Sequence, residues 1–74
     1  MGDQTFGERA VGITFNPSGD NTVSILKRDI AAFIDHCQKE REASPDHEVK
    51  RMYSVAITEA QTAQMWAVKA ATWK

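Results

Sequence analysis

From Val23 towards the end of the chain, apolar side chains return every three or four residues, the repeat of one helical face. Val23, Leu26, Ile30, Phe33, Ile34 and Cys37 share such a face, and Lys27, Arg28, Asp35, Gln38 and Lys39 cover much of the other. The pattern predicts an amphipathic helix over residues 21–42, with Asp20, Asn21 or Thr22 available to cap it. It breaks at Glu42-Ala-Ser-Pro-Asp46. Ser44 is a good N-cap and Pro45 suits a first helical position, while Asp46 and Glu48 put negative charge where a helix dipole favours it. Val49, Met52, Tyr53, Ala56, Ala60, Ala63, Ala67 and Ala70 then carry a second helix over residues 45–72. A linker this short makes the two helices antiparallel neighbours. The expected fold class is therefore all-α: an antiparallel two-helix hairpin behind a short N-terminal arm.

The second helix has an unusual texture. Alanines at 56, 60, 63, 67 and 70 fall in one line, and a line of methyl-sized side chains lets another backbone approach closely. Beside it stand Met65, Trp66, Lys69 and Trp73, an aromatic and cationic set that a plain core helix would not require. The seam is expected to meet a further helix, so the hairpin should assemble with copies of itself.

Residues 1–20 follow another pattern. They hold all four glycines, Gly2, Gly7, Gly12 and Gly19, together with Pro17. Val11-Gly-Ile-Thr-Phe15 has a weak strand-like alternation, and Asn16-Pro-Ser-Gly-Asp20 reads as a turn. This stretch is expected to be an arm peripheral to the hairpin.

Length and charge narrow the picture. With 74 residues the chain is expected to be one domain, too small to bury much surface without a staple. The single cysteine, Cys37, cannot close an internal disulfide, and no Cys/His spacing fits a structural zinc. Oligomerisation is the staple left open. A net charge of −1 with scattered basic residues argues against a general DNA or RNA binder. Met1 to Ala10 is polar and lacks the apolar run of a signal peptide, and no stretch resembles a membrane span. A small soluble cytosolic protein is expected.

The inventory for catalysis is thin. His36 and His47 lie on different predicted helices without a third ligand nearby in sequence, and read as surface histidines. Cys37 continues an apolar face and reads as a small buried thiol. Asp29, Asp35 and Glu40 read as a solvated face, and no nucleophile elbow, phosphate loop, dinucleotide fingerprint or zinc-protease motif occurs. Neither an enzyme nor a bound cofactor or metal is expected.

Binding residues are better represented. Phe15 ends the arm just before the turn, where a phenyl ring can stack on a nucleobase or staple the arm onto the first helix. Residue type alone favours the staple. Lys27 and Arg28, in the first turns of the first helix, can neutralise a phosphate or remain ordinary solvated charges. Asn16 and Ser18 are short polar groups able to hydrogen-bond a ligand. Lys69, next to the alanine seam, must either snorkel outwards or meet an anion.

At this point the residues carry a resemblance. Ala56-Ile-Thr-Glu-Ala-Gln-Thr-Ala-Gln-Met-Trp-Ala-Val-Lys-Ala-Ala-Thr72 is similar to the C-terminal helix of the bacteriophage nucleotide-sponge family, whose members antagonise CBASS immunity and whose relatives antagonise Thoeris. Ile13-Thr-Phe-Asn-Pro-Ser-Gly-Asp-Asn-Thr-Val-Ser-Ile-Leu-Lys27 resembles the family's arm and the start of its first helix. The resemblance implies a homohexamer of hairpins that sequesters cyclic dinucleotides in the cytoplasm of the infected host without cleaving them. Some members of the family also take cyclic trinucleotides or cyclic ADP-ribose isomers. It implies that Phe15 stacks on a base and that Lys27 meets phosphate, which raises stacking above the staple. For a second type of site, where C-terminal helices of several subunits converge, the matching candidates are Thr58, Gln61, Thr62, Met65 and Lys69. Phenylalanine at 15 replaces a tyrosine of some relatives, and Lys69 replaces an arginine. Two other classes stay open: a structural or interaction hairpin serving phage assembly, and a small enzyme hydrolysing the same nucleotides.

Overall fold

A computed structural model describes residues 3–17 and 19–73, and over these residues the regular structure is entirely helical. Three helices follow one another: α1 (Phe6–Val11), α2 (Asn21–Ala43) and α3 (His47–Ala71). The hairpin expected from the apolar repeat is α2 and α3. The helix within the arm was not anticipated.

Local chemistry explains α1. Thr5 and Glu8 form a reciprocal capping box, the Glu8 amide donating to Thr5 Oγ1 at 3.0 Å and the Thr5 amide to Glu8 Oε1 at 2.9 Å. Gly12 ends the helix in the left-handed region (φ +63°), its amide donating to the Arg9 carbonyl while the Ile13 amide reaches Glu8. The strand-like alternation of Val11 to Phe15 is thereby corrected. Val11 is the last helical residue and a turn follows. Five residues of weak period-two pattern lose to caps at both ends of a six-residue helix.

Of the three candidate caps for α2, the chain uses Asp20, whose Oδ1 accepts from the amides of Thr22 (2.7 Å) and Val23 (3.2 Å). The turn before it forms as expected, with Gly19 at φ +65°. At the start of α3 the cap is Asp46 rather than Ser44. Asp46 Oδ1 accepts from Glu48 (2.8 Å) and Val49 (3.3 Å), so the helix begins at His47 and Pro45 lies in the linker. A carboxylate meets the positive helix end better than a hydroxyl does. Ser44 instead accepts the Asp46 amide at 3.1 Å.

The hairpin register is symmetric about the Pro45–Asp46 bond. Lys50 Nζ donates to the Arg41 carbonyl at 2.9 Å, Ile34 and Ile57 share the core, and Val23 and Val68 border one cleft. α2 lies between α1 and α3, which barely touch each other. Val11, Ala31, Ile34, Cys37 and Ile57 form the buried cluster, with Phe6, Ile30, Tyr53, Ala56 and Ala60 packed around it. Val11 makes the arm part of the core, against the expectation that it is peripheral.

The presence of α1 rotates the buried face of α2. Gly7 packs so closely on α2 that a Cβ there would lie 2.1 Å from the Ala31 carbonyl oxygen. Lys27, expected on the solvated side, is 4 % exposed, and Asp35 is half-buried. Phe33 and Met52, expected in the core, are 53 % and 51 % exposed. Of the alanine line, Ala56, Ala60 and Ala67 are half-buried, whereas Ala63 and Ala70 face outwards.

The whole is one layer of helices measuring 44 × 30 × 12 Å. Its radius of gyration is 13.4 Å, against about 11 Å for a compact chain of this length. Its accessible surface is 5276 Å², against about 4600 Å² expected for this mass. Both broad faces of the layer lack a second layer to cover them.

Candidate functional site

The turn that follows α1 builds a cleft of about 310 Å³ that draws residues from the arm and from both long helices. Phe15, Asn16 and Pro17 line the cleft from the turn, Val23 and Lys27 from α2, and Val68 of α3 and its C-cap Thr72 from the other side. Phe15 is held by its backbone and not by its ring. Its amide donates to the Gly12 carbonyl at 2.8 Å, its own carbonyl accepts from Lys27 Nζ, and the side chain stands 71 % exposed. That exposure overturns the staple. The ring lies on the cleft wall with its centroid 5.4 Å from the Lys27 ammonium, within the range of a cation–π contact.

Lys27 is the central cation of this region. Nζ donates to the carbonyls of Gly12 (2.9 Å) and Phe15, so it closes the C-terminal end of α1 as well as lining the cleft. Burying an ammonium is costly unless such acceptors surround it. Asn16 does related work across the turn, its Nδ2 donating to the Asp20 carbonyl (2.9 Å) and to Ser24 Oγ (3.0 Å). Arg28 lies apart from the cleft, exposed and 3.5 Å from Asp29. Ser18 lies outside the described residues.

The second candidate set occupies a different surface. Thr58, Thr62, Met65 and Lys69 are exposed along α3 and Gln61 is half-buried; none of them lines the Phe15 cleft. Lys69 Nζ sits 5.3 Å from the Trp66 ring and 5.7 Å from the Trp73 ring, beside an open hollow of about 440 Å³. Both tryptophans are largely exposed, at 66 % and 74 %. Lys69 therefore snorkels, and its ammonium rests on indole faces at the negative end of the helix.

Val68 and Thr72 were missed as cleft residues. The signal was available in the hairpin register, which sets the last turns of α3 beside the first turns of α2. Cys37 is buried as expected and His36 is exposed, its Nε2 3.4 Å from Glu40 Oε2. Among the described residues no three His, Cys, Asp or Glu side chains converge as metal ligands would. No helix among them is long and apolar enough to cross a membrane.

The fold is thus a helical hairpin with an arm folded onto its first helix, carrying an exposed aromatic beside a buried ammonium. Residues 8–72 match the Acb2/Tad1 hairpin domain, and the chain belongs to that family of anti-CBASS and anti-Thoeris sponges. No curated protein and no solved structure matches it.

Proposed function

We propose that this chain is a phage anti-defence protein that binds cyclic oligonucleotide second messengers of CBASS-type immunity and holds them intact. The observation that carries the reading is Phe15, solvent-exposed on a backbone-anchored turn, beside the Lys27 ammonium in a 310 Å³ cleft. A base stacking on the phenyl ring would contribute about 1–3 kcal/mol. A phosphate entering beside it would meet a cation already desolvated and held in place. Cyclic dinucleotides are the ligands proposed for this cleft. Cyclic trinucleotides or cyclic ADP-ribose isomers are the ligands proposed for the α3 set of Thr58, Gln61, Thr62, Met65 and Lys69.

The working form proposed is a homo-oligomer, a hexamer by family analogy, in the host cytoplasm. A layer one helix thick, with about 15 % more surface than its mass predicts, supports assembly. The same open layer favours one second reading, a hairpin that docks a different protein. Calorimetric titration with cyclic di- and trinucleotides and cyclic ADP-ribose isomers separates the two. Binding by at least one class, lost roughly 5- to 150-fold in Phe15→Ala for dinucleotides, supports the sponge. No binding across the panel supports the adaptor. Ligand recovered unchanged after denaturing the protein supports sequestration, whereas linear products would identify an enzyme.

A further inference from the structure

α1 is held at both ends by charged side chains of one neighbouring helix. Near its start, the Gly7 amide donates to Asp35 Oδ1 at 2.7 Å. Past its end, Lys27 Nζ takes the carbonyls of Gly12 and Phe15. Asp35 and Lys27 are eight residues apart on α2, about 12 Å along its axis, and six residues of α1 span about 9 Å. The order of the charges suits the helix between them. A carboxylate meets the end where amides are unpaired, and an ammonium meets the end where carbonyls are.

Gly7 belongs to the same device. A Cβ there would stand 2.1 Å from the Ala31 carbonyl oxygen and 2.9 Å from Asp35 Oδ1, so only glycine admits this contact. The approach then fixes the line of α1, and the line of α1 fixes Gly12. Phe15 hangs from Gly12 by its amide and from Lys27 by its carbonyl, while its ring takes little support from packing.

We infer that Asp35 is a positioning residue for Phe15. Acting through α1, it sets where the phenyl ring stands over the cleft. The inference rests on the proposed stacking role of Phe15 for its functional meaning, and on geometry alone for its structural content. Without Asp35 the helix keeps its capping box and its Val11 anchor, and so remains folded. What it loses is the hold near its start, and α1 with the Gly12–Phe15 turn behind it shifts on α2. The ring then samples several positions, and a ligand that needs one of them binds less tightly.

Two measurements on the full chain test this, and they fail separately. The first needs no ligand: amide hydrogen exchange in wild type, Asp35→Ala and Asp35→Asn. Asp35→Ala should speed exchange at Phe15 and Gly7 about tenfold or more, with Ile57 and its neighbours in the hairpin unchanged. Asp35→Asn, which retains an acceptor oxygen, should recover much of the protection. Unchanged exchange at Phe15 overturns the inference, and so does a parallel rise at every amide, which marks a general loss of stability. The second is a double-mutant cycle with Phe15→Ala, using cyclic di-AMP and cyclic GMP–AMP as probes. Asp35→Ala should weaken binding in wild type and add nothing in the Phe15→Ala background; additive losses overturn the positioning role. Should wild type bind neither probe, the assignment of Phe15 as a dinucleotide-stacking residue fails, while the exchange result still decides where Asp35 acts.

Discussion

The α1 side of α2 and the outer face of α3 solve opposite problems. On the α1 side both ends of the short helix are closed from within the chain. A capping box starts the helix, Asp35 takes an amide near its start, and Lys27 takes the carbonyls past its end. The outer face of α3 leaves Val55, Met65, Trp66 and Trp73 exposed, with a lysine resting on the two indoles. One lysine is buried among backbone oxygens and the other lies on the surface, although both belong to long amphipathic helices. The difference teaches where each surface stands in the life of the molecule. The first is finished as a monomer and displays a single ring, Phe15. The second leaves large apolar side chains that nothing among the described residues covers.

The largest expected effect is on the cluster both regions lean upon. Ile34 is fully buried, so Ile34→Ala should lose about 2–5 kcal/mol in denaturant unfolding. A loss under 1 kcal/mol would mean that the small core does not support α1 and α3 together, and the contrast would need another basis.

The two lysines test the contrast directly. Lys27→Met keeps the apolar stem and removes the donor, leaving the Gly12 and Phe15 carbonyls short of a partner, at a cost of about 1–3 kcal/mol. Lys69→Met should change monomer stability by about 0.5 kcal/mol or less. Equal losses for both would erase the distinction between a closed and an open region. Since Lys27 holds Phe15 as well as lining the cleft, any loss of ligand affinity in its variants must be read beside their unfolding curves.

Ala63 sharpens the other half. It faces outwards, so Ala63→Leu should leave the unfolding of a dilute monomer nearly unchanged. If copies pack across the alanine line, the same change should overpack each contact by about 1–3 kcal/mol and lower the mass seen by light scattering. Retained mass would move the assembly surface elsewhere on the layer.

The hairpin was legible because its signals are long. Two runs of helical repeat and one Ser-Pro-Asp break place α2 and α3 to within a few residues. Cys37 followed from the same periodicity, whereas the surface histidines followed from the lack of a third ligand near either in sequence. The errors cluster around α1, whose signal is six residues long and lies among glycines that suggested a peripheral arm. Thr5-Phe-Gly-Glu8 is a readable capping box, and it was the cue to a helix there. Missing α1 hid everything that depends on it. On a two-helix wheel Lys27 and Asp35 look solvated; once a third helix covers them Lys27 is buried and Asp35 half-buried, and Phe33 is displaced outwards for the same reason. At the site, Phe15 and Lys27 were both legible as candidates and the fold brings them together, but their contact through the Phe15 backbone carbonyl is tertiary and no spacing encodes it.

The smallest effect concerns the start of α3, remote from both regions. Arg51 holds Glu48 through two bonds, Nε to Oε1 at 3.1 Å and Nη2 to Oε2 at 2.6 Å, with both side chains exposed. The guanidinium keeps the Glu48 carboxyl below its ordinary value, and slight desolvation opposes this only weakly. A group whose folded value is depressed stabilises the fold above its unfolded value, and that stabilisation fades as pH falls through the folded one. Arg51→Ala should therefore melt slightly below wild type at neutral pH, and the gap should close on acidification past the ordinary glutamate range. High salt should shrink the gap at neutral pH too, because exposed pairs are screened. A gap that persists in acid would show that Arg51 acts through its stem or through helix propensity, not through the carboxylate.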